Sequence, residues 1–240
     1  MISLYSGTPG SGKSLHIAKR IYELLRYGYR VIANFPIDIE KVSKHDVDFL
    51  YIDNDQMTPK RLIQESMIYW QRKAERKGWS ETRIKEDAIL LVIDEAQILF
   101  NARAWQQSGR SEWNTFFTQH RKLGYEIVLI AQFDGMLDKQ IRSLIEYNVI
   151  HRKVKNFGRA GFIINFLAMG GLFVAVKVWY PLNQPIGSEY FKSRKKYYSI
   201  YNTYSMFDAF GSDFKLEDKE NVNNQKPGMA DNCLPGICQS

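Results

Sequence analysis

The sequence predicts an α/β fold, a mainly parallel central sheet flanked by helices, with a small β-rich extension on its C-terminal side. Three observations carry that expectation. A short apolar run, Ile2 to Tyr5, opens into a glycine-rich turn and then into a segment with helical apolar spacing. Ala88 to Ile93 is apolar throughout and stops abruptly at Asp94, as a central parallel strand covered on both faces does. Helix-forming segments alternate with further strand signals between and after these runs.

In chain order, the apolar residues from Lys13 to Tyr27 (Leu15, Ile17, Ala18, Ile21, Leu24, Leu25) recur near helical spacing. Arg30 to Asn34 reads as a second strand closed by Pro36, and Phe49 to Ile52 as a third. Thr58 and Pro59 open a helix that Gly78 ends. After the strand at Ala88 to Ile93, a helix is expected from Ser111 to Leu123, stopped by Gly124, and then a central strand from Glu126 to Ala131 ending in Gln132. Tyr147 to Val154 supplies a last core strand. The expected organisation is a core over 1–155, an aromatic-rich strand-and-turn extension of the same domain over 156–210, and a flexible polar tail over 211–240.

The 240 residues, with 45% hydrophobic and 14% aromatic side chains, suffice for one substantial core, which excludes a disordered chain. The formal charge of +7 fits an anionic partner such as nucleic acid or a membrane surface, and equally fits ordinary solvated faces. Only Cys233 and Cys238 are present, both in the tail, so they read as free thiols and a reducing cytoplasm is expected. Nothing at the N-terminus has the pattern of an export signal. The apolar stretch Phe162 to Val176 falls short of the ~20 residues of a membrane span, is broken by Asn165 and Gly170–Gly171, and has basic residues on both sides. No transmembrane helix is expected, and Leu172 to Tyr180 reads as a buried strand.

The chemistry is concentrated in Gly7-Thr8-Pro9-Gly10-Ser11-Gly12-Lys13-Ser14, which fits the spacing G-x-x-x-x-G-K-[ST]. Glycines there let phosphate oxygens approach main-chain N–H groups at a helix N-terminus. Lys13 would reach the β- and γ-phosphates of ATP, and the Ser14 hydroxyl would bind Mg²⁺. Leu90-Leu91-Val92-Ile93-Asp94-Glu95 delivers two carboxylates at a strand's C-terminal end, where parallel sheets bind ligands. Asp94 would hold Mg²⁺ and Glu95 would polarise the attacking water. Together these elements predict a P-loop NTPase. Gln132, at the end of another strand, is a candidate γ-phosphate sensor or a simple strand-end polar residue. Arg121, weighed against Arg103 and Arg142, is the candidate arginine finger, acting on a neighbouring copy; surface pairing is the competing reading. The four histidines show no metal-ligand spacing.

Several stretches resemble the filamentous-phage assembly ATPases, a family that includes the N-terminal part of zonula occludens toxin. They are the P-loop, Leu91 to Glu95, Phe100-Asn101-Ala102-Arg103-Ala104-Trp105, Arg121-Lys122-Leu123-Gly124-Tyr125-Glu126-Ile127, Gln132, Asp138 to Arg142, and Tyr201-Asn202-Thr203-Tyr204. The Asn-x-Arg-x-Trp and Arg-Lys-Leu-Gly-aromatic-acid elements are the more specific ones. The resemblance implies an ATPase at the host's cytoplasmic membrane face that powers phage assembly and extrusion, with coat or other assembly proteins as partners. It also implies a core in which the strand ending at Gln132 lies between those ending at Gly7 and Asp94. A homo-oligomer, such as a ring or hexamer, is expected. Two other readings stay open: a DNA-pumping motor whose basic patches, Arg152–Lys155 and Lys192–Lys196, track single-stranded DNA, and a scaffold that holds nucleotide without turnover.

Overall fold

The structure is a computed structural model that describes residues 1–43, 45–80, 83–103, 109–168 and 170–201. Ala104, Trp105, Asn202 to Tyr204, the 211–240 tail and both cysteines lie outside the described residues. The elements in order are β1 (Ile2–Ser6), α1 (Lys13–Arg26), β2 (Arg30–Ala33), β3 (Phe49–Tyr51), α2 (Pro59–Lys77), β4 (Ile89–Ile93), α3 (Arg110–Gln119), β5 (Tyr125–Ile130) and α4 (Lys139–Arg142). Then come β6 (Tyr147–Lys153), α5 (Gly158–Leu167), β7 (Leu172–Trp179), β8 (Gln184–Lys192) and α6 (Lys195–Tyr198).

Eight strands form one sheet in the order β3-β2-β4-β5-β1-β6-β7-β8. The pairings from β3 through β6 are all parallel, and β7 and β8 add on antiparallel. β5 therefore lies between β4 and β1, and Ser6, Ile93 and Ile130 finish at one end of the sheet. β1, β4 and β5 are buried at every position, because helices cover both faces. On one face Leu4, Leu91, Ile93, Ile127 and Leu129 pack with Trp70, Phe116 and Phe117 of α2 and α3. On the other, Tyr5, Leu90, Val92, Val128 and Ile130 pack with Ile17, Ile21 and Leu25 of α1. Alternate residues of each strand serve opposite faces, the period-two consequence of the pleat.

α2 shows how local chemistry sets an element. The Thr58 hydroxyl accepts from Arg61 N, Pro59 occupies the first turn, and Gly78 ends the helix with φ +63°. Leu62, Ser66, Tyr69, Trp70 and Ala74 make its buried stripe. Ser66 Oγ and Trp70 Nε1 both donate to Leu123 O, at 2.6 and 3.1 Å, which locks the helix to the turn before β5. The helix expected over Ser111 to Leu123 is α3 followed by a 3₁₀ turn, His120–Leu123. Where the sequence predicts strands and turns after residue 156, the structure places the helix α5 before β7. No helix among the described residues is long and apolar enough to cross a membrane.

Candidate nucleotide-binding site

The loop of residues 7–12 joins β1 to α1, and its backbone is bent as a phosphate cradle. Gly7, Gly10 and Gly12 have φ of +141°, +70° and +102°, a region L side chains rarely adopt. A Cβ at Gly7 would lie 2.6 Å from His151 O and 2.7 Å from Ser11 Oγ, and one at Gly12 would lie 2.6 Å from the Phe173 ring. Gly7 N donates to Gln132 O and Ser11 N to Thr8 O, both at 3.0 Å. The Ser11 hydroxyl is buried without a hydrogen-bond partner, a group a phosphate oxygen would satisfy. Lys13 Nζ folds back on the loop, donating to Gly7 O at 2.6 Å and Thr8 O at 3.3 Å. Burial lowers the Lys13 pKa, while the carboxylates of Glu95 and Asp94 act in the opposite direction, so the ammonium already lies in their field.

The two acids sit at the end of β4. Asn34, just beyond β2, fixes their backbone: Asp94 N donates to Asn34 Oδ1 at 2.7 Å, and Asn34 Nδ2 donates to Asp94 O at 2.8 Å. Glu95 is held in the left-handed region at φ +47°, a conformation costing roughly 1 kcal/mol for a non-glycine residue. Its N–H donates to Asp94 Oδ1 at 2.9 Å, and Gln97 Nε2 donates to its carboxylate. Asp94 is raised in pKa, chiefly by burial, with the hydrogen bonds from Tyr201 and Glu95 N opposing that rise. Tyr201 O–H donates to Asp94 Oδ2. Its own pKa is held well above the usual value by burial and by the Asp94 carboxylate, with the Ser14 hydroxyl acting the other way. One phenol thus lies against both predicted Mg²⁺ donors. A hydroxyl and a single carboxylate of hard oxygen character fit Mg²⁺, which takes few protein ligands and keeps water and phosphate oxygens. No group of three or more His, Cys, Asp or Glu able to hold a metal occurs among the described residues.

Beside the loop opens a cavity of about 680 Å³, lined by Gly7 to Ser11, Gln132, Phe133, Asn148, Lys153 and Phe157. Gln132 is thereby brought to the cradle. Lys153 Nζ comes within 3.4 Å of the point where a Gly10 Cβ would be, so this ammonium stands on the phosphate loop itself. Arg121 is not brought there. It precedes β5, at the opposite end of the strands, and donates to Glu146 at 2.7 Å. The element around it has a packing role. Leu123 O receives the two bonds from α2, a Cβ at Gly124 would lie 2.7 Å from Trp70, Tyr125 O–H donates to Leu62 O at 2.7 Å, and Arg20 pairs with Glu126.

Asn34, Tyr201 and Lys153 join the site although the sequence reading gives none of them a part in nucleotide binding, Tyr201 standing there only in a family-like stretch and Lys153 only in a basic patch. Each reaches the site by a non-local strand pairing or return of the chain. His16 and His151 carry no role in the sequence reading, yet Nδ1 of the first lies 2.8 Å from Nε2 of the second, buried beneath the loop.

The sheet order, with the glycine loop on β1 and the acids on β4, defines a P-loop NTPase. Superposed on the solved ATPase domain of another protein, the chain gives a TM-score of 0.51 over 84% of each chain at 10% identity. The chain belongs to the Zonular occludens toxin (Zot) family, which it matches over residues 1–206. The N-terminal domain of zonular occludens toxin from Neisseria meningitidis is similar at 20% identity, covering 84% of this chain and 98% of that one with a TM-score of 0.49. Gene 1 protein of Escherichia phage If1 is 25% identical over 151 residues, and that of Enterobacteria phage f1 26% identical over 147 residues. These matches cover 62% and 61% of this chain but only 40% of either phage protein.

Proposed function

We propose that this chain is the ATP-hydrolysing motor part of a filamentous-phage assembly protein. The observation that carries the reading is that the Gly7–Ser14 cradle and the acids Asp94 and Glu95 stand at the same sheet end, on β1 and β4, the two strands that flank β5. Family membership and the likeness to phage Gene 1 proteins support the setting.

In this reading the loop N–H groups and Lys13 hold the β- and γ-phosphates, Lys13 exchanging the Gly7 and Thr8 carbonyls for phosphate oxygens. Gly7, Thr8, Pro9, Gly10, Ser11 and Gly12 shape the cradle. Ser14 and Asp94 would hold Mg²⁺, which when bound neutralises charge on the phosphates. Glu95 takes the proton of the attacking water, and the Gln97 amide fixes which of its oxygens faces that water. Gln132 orients the water or senses the γ-phosphate, since its backbone already tethers Gly7. Arg121 could serve only a neighbouring copy's site, consistent with a homo-oligomer. The moved component is coat protein or single-stranded DNA, at the cytoplasmic face of the host membrane.

Phosphate release from ATP by the purified protein, with and without Mg²⁺, tests this directly. Lys13→Ala should abolish nucleotide binding, and Glu95→Gln should bind ATP while turning over at least ~100-fold more slowly. Turnover by either variant at the unaltered protein's rate, or a lack of any ATP affinity in the assembled, folded protein, overturns the reading. DNA-stimulated, salt-sensitive hydrolysis would identify DNA as the moved component.

A further inference from the structure

Between β6 and β7 the chain leaves the sheet at its nucleotide end and later returns there, since Lys153 and Phe173 are the last paired positions. Most of that excursion is α5. Phe162, Ile163, Ile164, Phe166 and Leu167 are all exposed, the last two at 74% and 75%. At 100° per residue these five side chains cover more than half of the helix circumference. The helix touches its own domain through Gly161, where a Cβ would lie 2.2 Å from Val154 O. Its polar groups are satisfied internally: Leu172 N donates to Asn165 Oδ1, Gly170 N to Asn165 O and Ala168 N to Ile164 O.

Along the chain, the charge flanking this helix has one sign. From Tyr147 to Ser188 the sequence contains no Asp or Glu. Arg152, Lys155 and Arg159, all exposed, precede or open α5. The register Leu172↔Lys192 sets Lys192 at the same sheet end, with Arg194 just beyond it.

We propose that α5 inserts into an anionic lipid surface and docks the domain there through its basic collar. Three features favour lipid over a protein groove. A groove would cover a stripe, whereas the apolar surface here wraps more than half of the helix. Ten residues rise roughly 15 Å, about half of a ~30 Å hydrocarbon core, so the helix can enter one leaflet and cannot span. Cations without intervening acids complement anionic headgroups, each contributing on the order of 1 kcal/mol near the surface. The turn before α5 also supplies Phe157 to the cavity beside the phosphate loop, so the docked element and the nucleotide site share a wall. Docking of this kind does not depend on ATP hydrolysis and is tested without nucleotide.

Flotation of the full chain with vesicles of phosphatidylcholine alone, or of equal parts phosphatidylcholine and phosphatidylglycerol, is the measurement. Binding to the anionic vesicles only is expected, weakened on the order of tenfold in Phe166→Ser/Leu167→Ser. Both positions are exposed, so the variant should keep its circular dichroism and melting temperature. Phe166→Trp should show quenching by brominated lipid above that of the native tryptophans. No flotation, equal flotation with neutral vesicles, no effect of the double variant, or no added quenching overturns the proposal. It is also overturned if the double variant abolishes self-association in lipid-free solution, which would assign the face to a second copy. Lys13→Ala should float normally, separating this result from any failure of the nucleotide reading.

Discussion

The two halves of the sheet are built to different standards. From β2 through β1 by way of β4 and β5, every strand position is buried and both faces are covered by helices. In the antiparallel wing the burial decays outward, until Gln184–Lys192 exposes every residue but Phe191. The wing still touches the chemistry. Phe173 of β7 closes against Gly12, so the phosphate loop is packed from the wing side. A half that must hold a strained loop and two adjacent carboxylates in place is fully packed; the other carries surface free for contact.

Equal truncations in the two halves should therefore have unequal costs, and this is the largest effect expected. Leu91→Ala removes a fully buried side chain of β4 and should cost about 2–5 kcal/mol in urea unfolding. Ile186→Ala, on the exposed β8, should stay within about 0.5 kcal/mol. Similar costs at both positions would mean that β8 is covered in solution.

Tyr201 sharpens the comparison, because it follows the wing strand β8 and then α6 in the chain yet binds the acid of β4. Removing its hydroxyl by Tyr201→Phe takes away a hydrogen bond to a half-buried carboxylate, worth roughly 1.5–3 kcal/mol. It also frees Asp94 and Ser14 from a shared partner. The expected pair of results is a lower unfolding midpoint and several-fold tighter Mn²⁺ binding by paramagnetic resonance. Weaker Mn²⁺ binding would instead make Tyr201 a support of the ligands.

The parallel half was largely legible in the sequence. Continuous apolar runs ended by Asp94 and Gln132, and the caps Thr58 and Gly78, are local signals of strands and helices that tertiary packing then reinforces. The cradle was legible for the same reason, since its glycine spacing is itself the geometry. What was not legible depends on register. Lys153 reaches Gly10 because β6 runs parallel to β1, Tyr201 reaches Asp94 only when the chain returns past β2, and no local pattern encodes either. The segment around Phe162 failed differently: apolar residues signal removal from water, but not whether a core or another phase removes them.

The smallest expected effect is on pH dependence, at the seam between the halves. His16 of α1 and His151 of β6 face each other beneath the loop, His16 stacked between Tyr5 and Phe191, with Glu189, Lys19 and Arg20 close by. Burial depresses the pKa of both rings; for His151 the neighbouring His16 adds to it, and for His16 the Glu189 carboxylate opposes it. A histidine whose folded pKa lies below its unfolded value of about 6.5 leaves the unfolded chain holding more protons as the pH drops. Stability is then intact above that value and falls as the pH is lowered through it toward the folded pKa. The Glu189 pKa is also lowered, burial being outweighed by Lys19 and His16, so its contribution fades in the same direction at lower pH. Urea unfolding between neutral and mildly acidic pH should show this slope, reduced in His151→Phe, which keeps the ring and removes the titration. An unchanged slope in that variant would place the acid sensitivity elsewhere than at the seam.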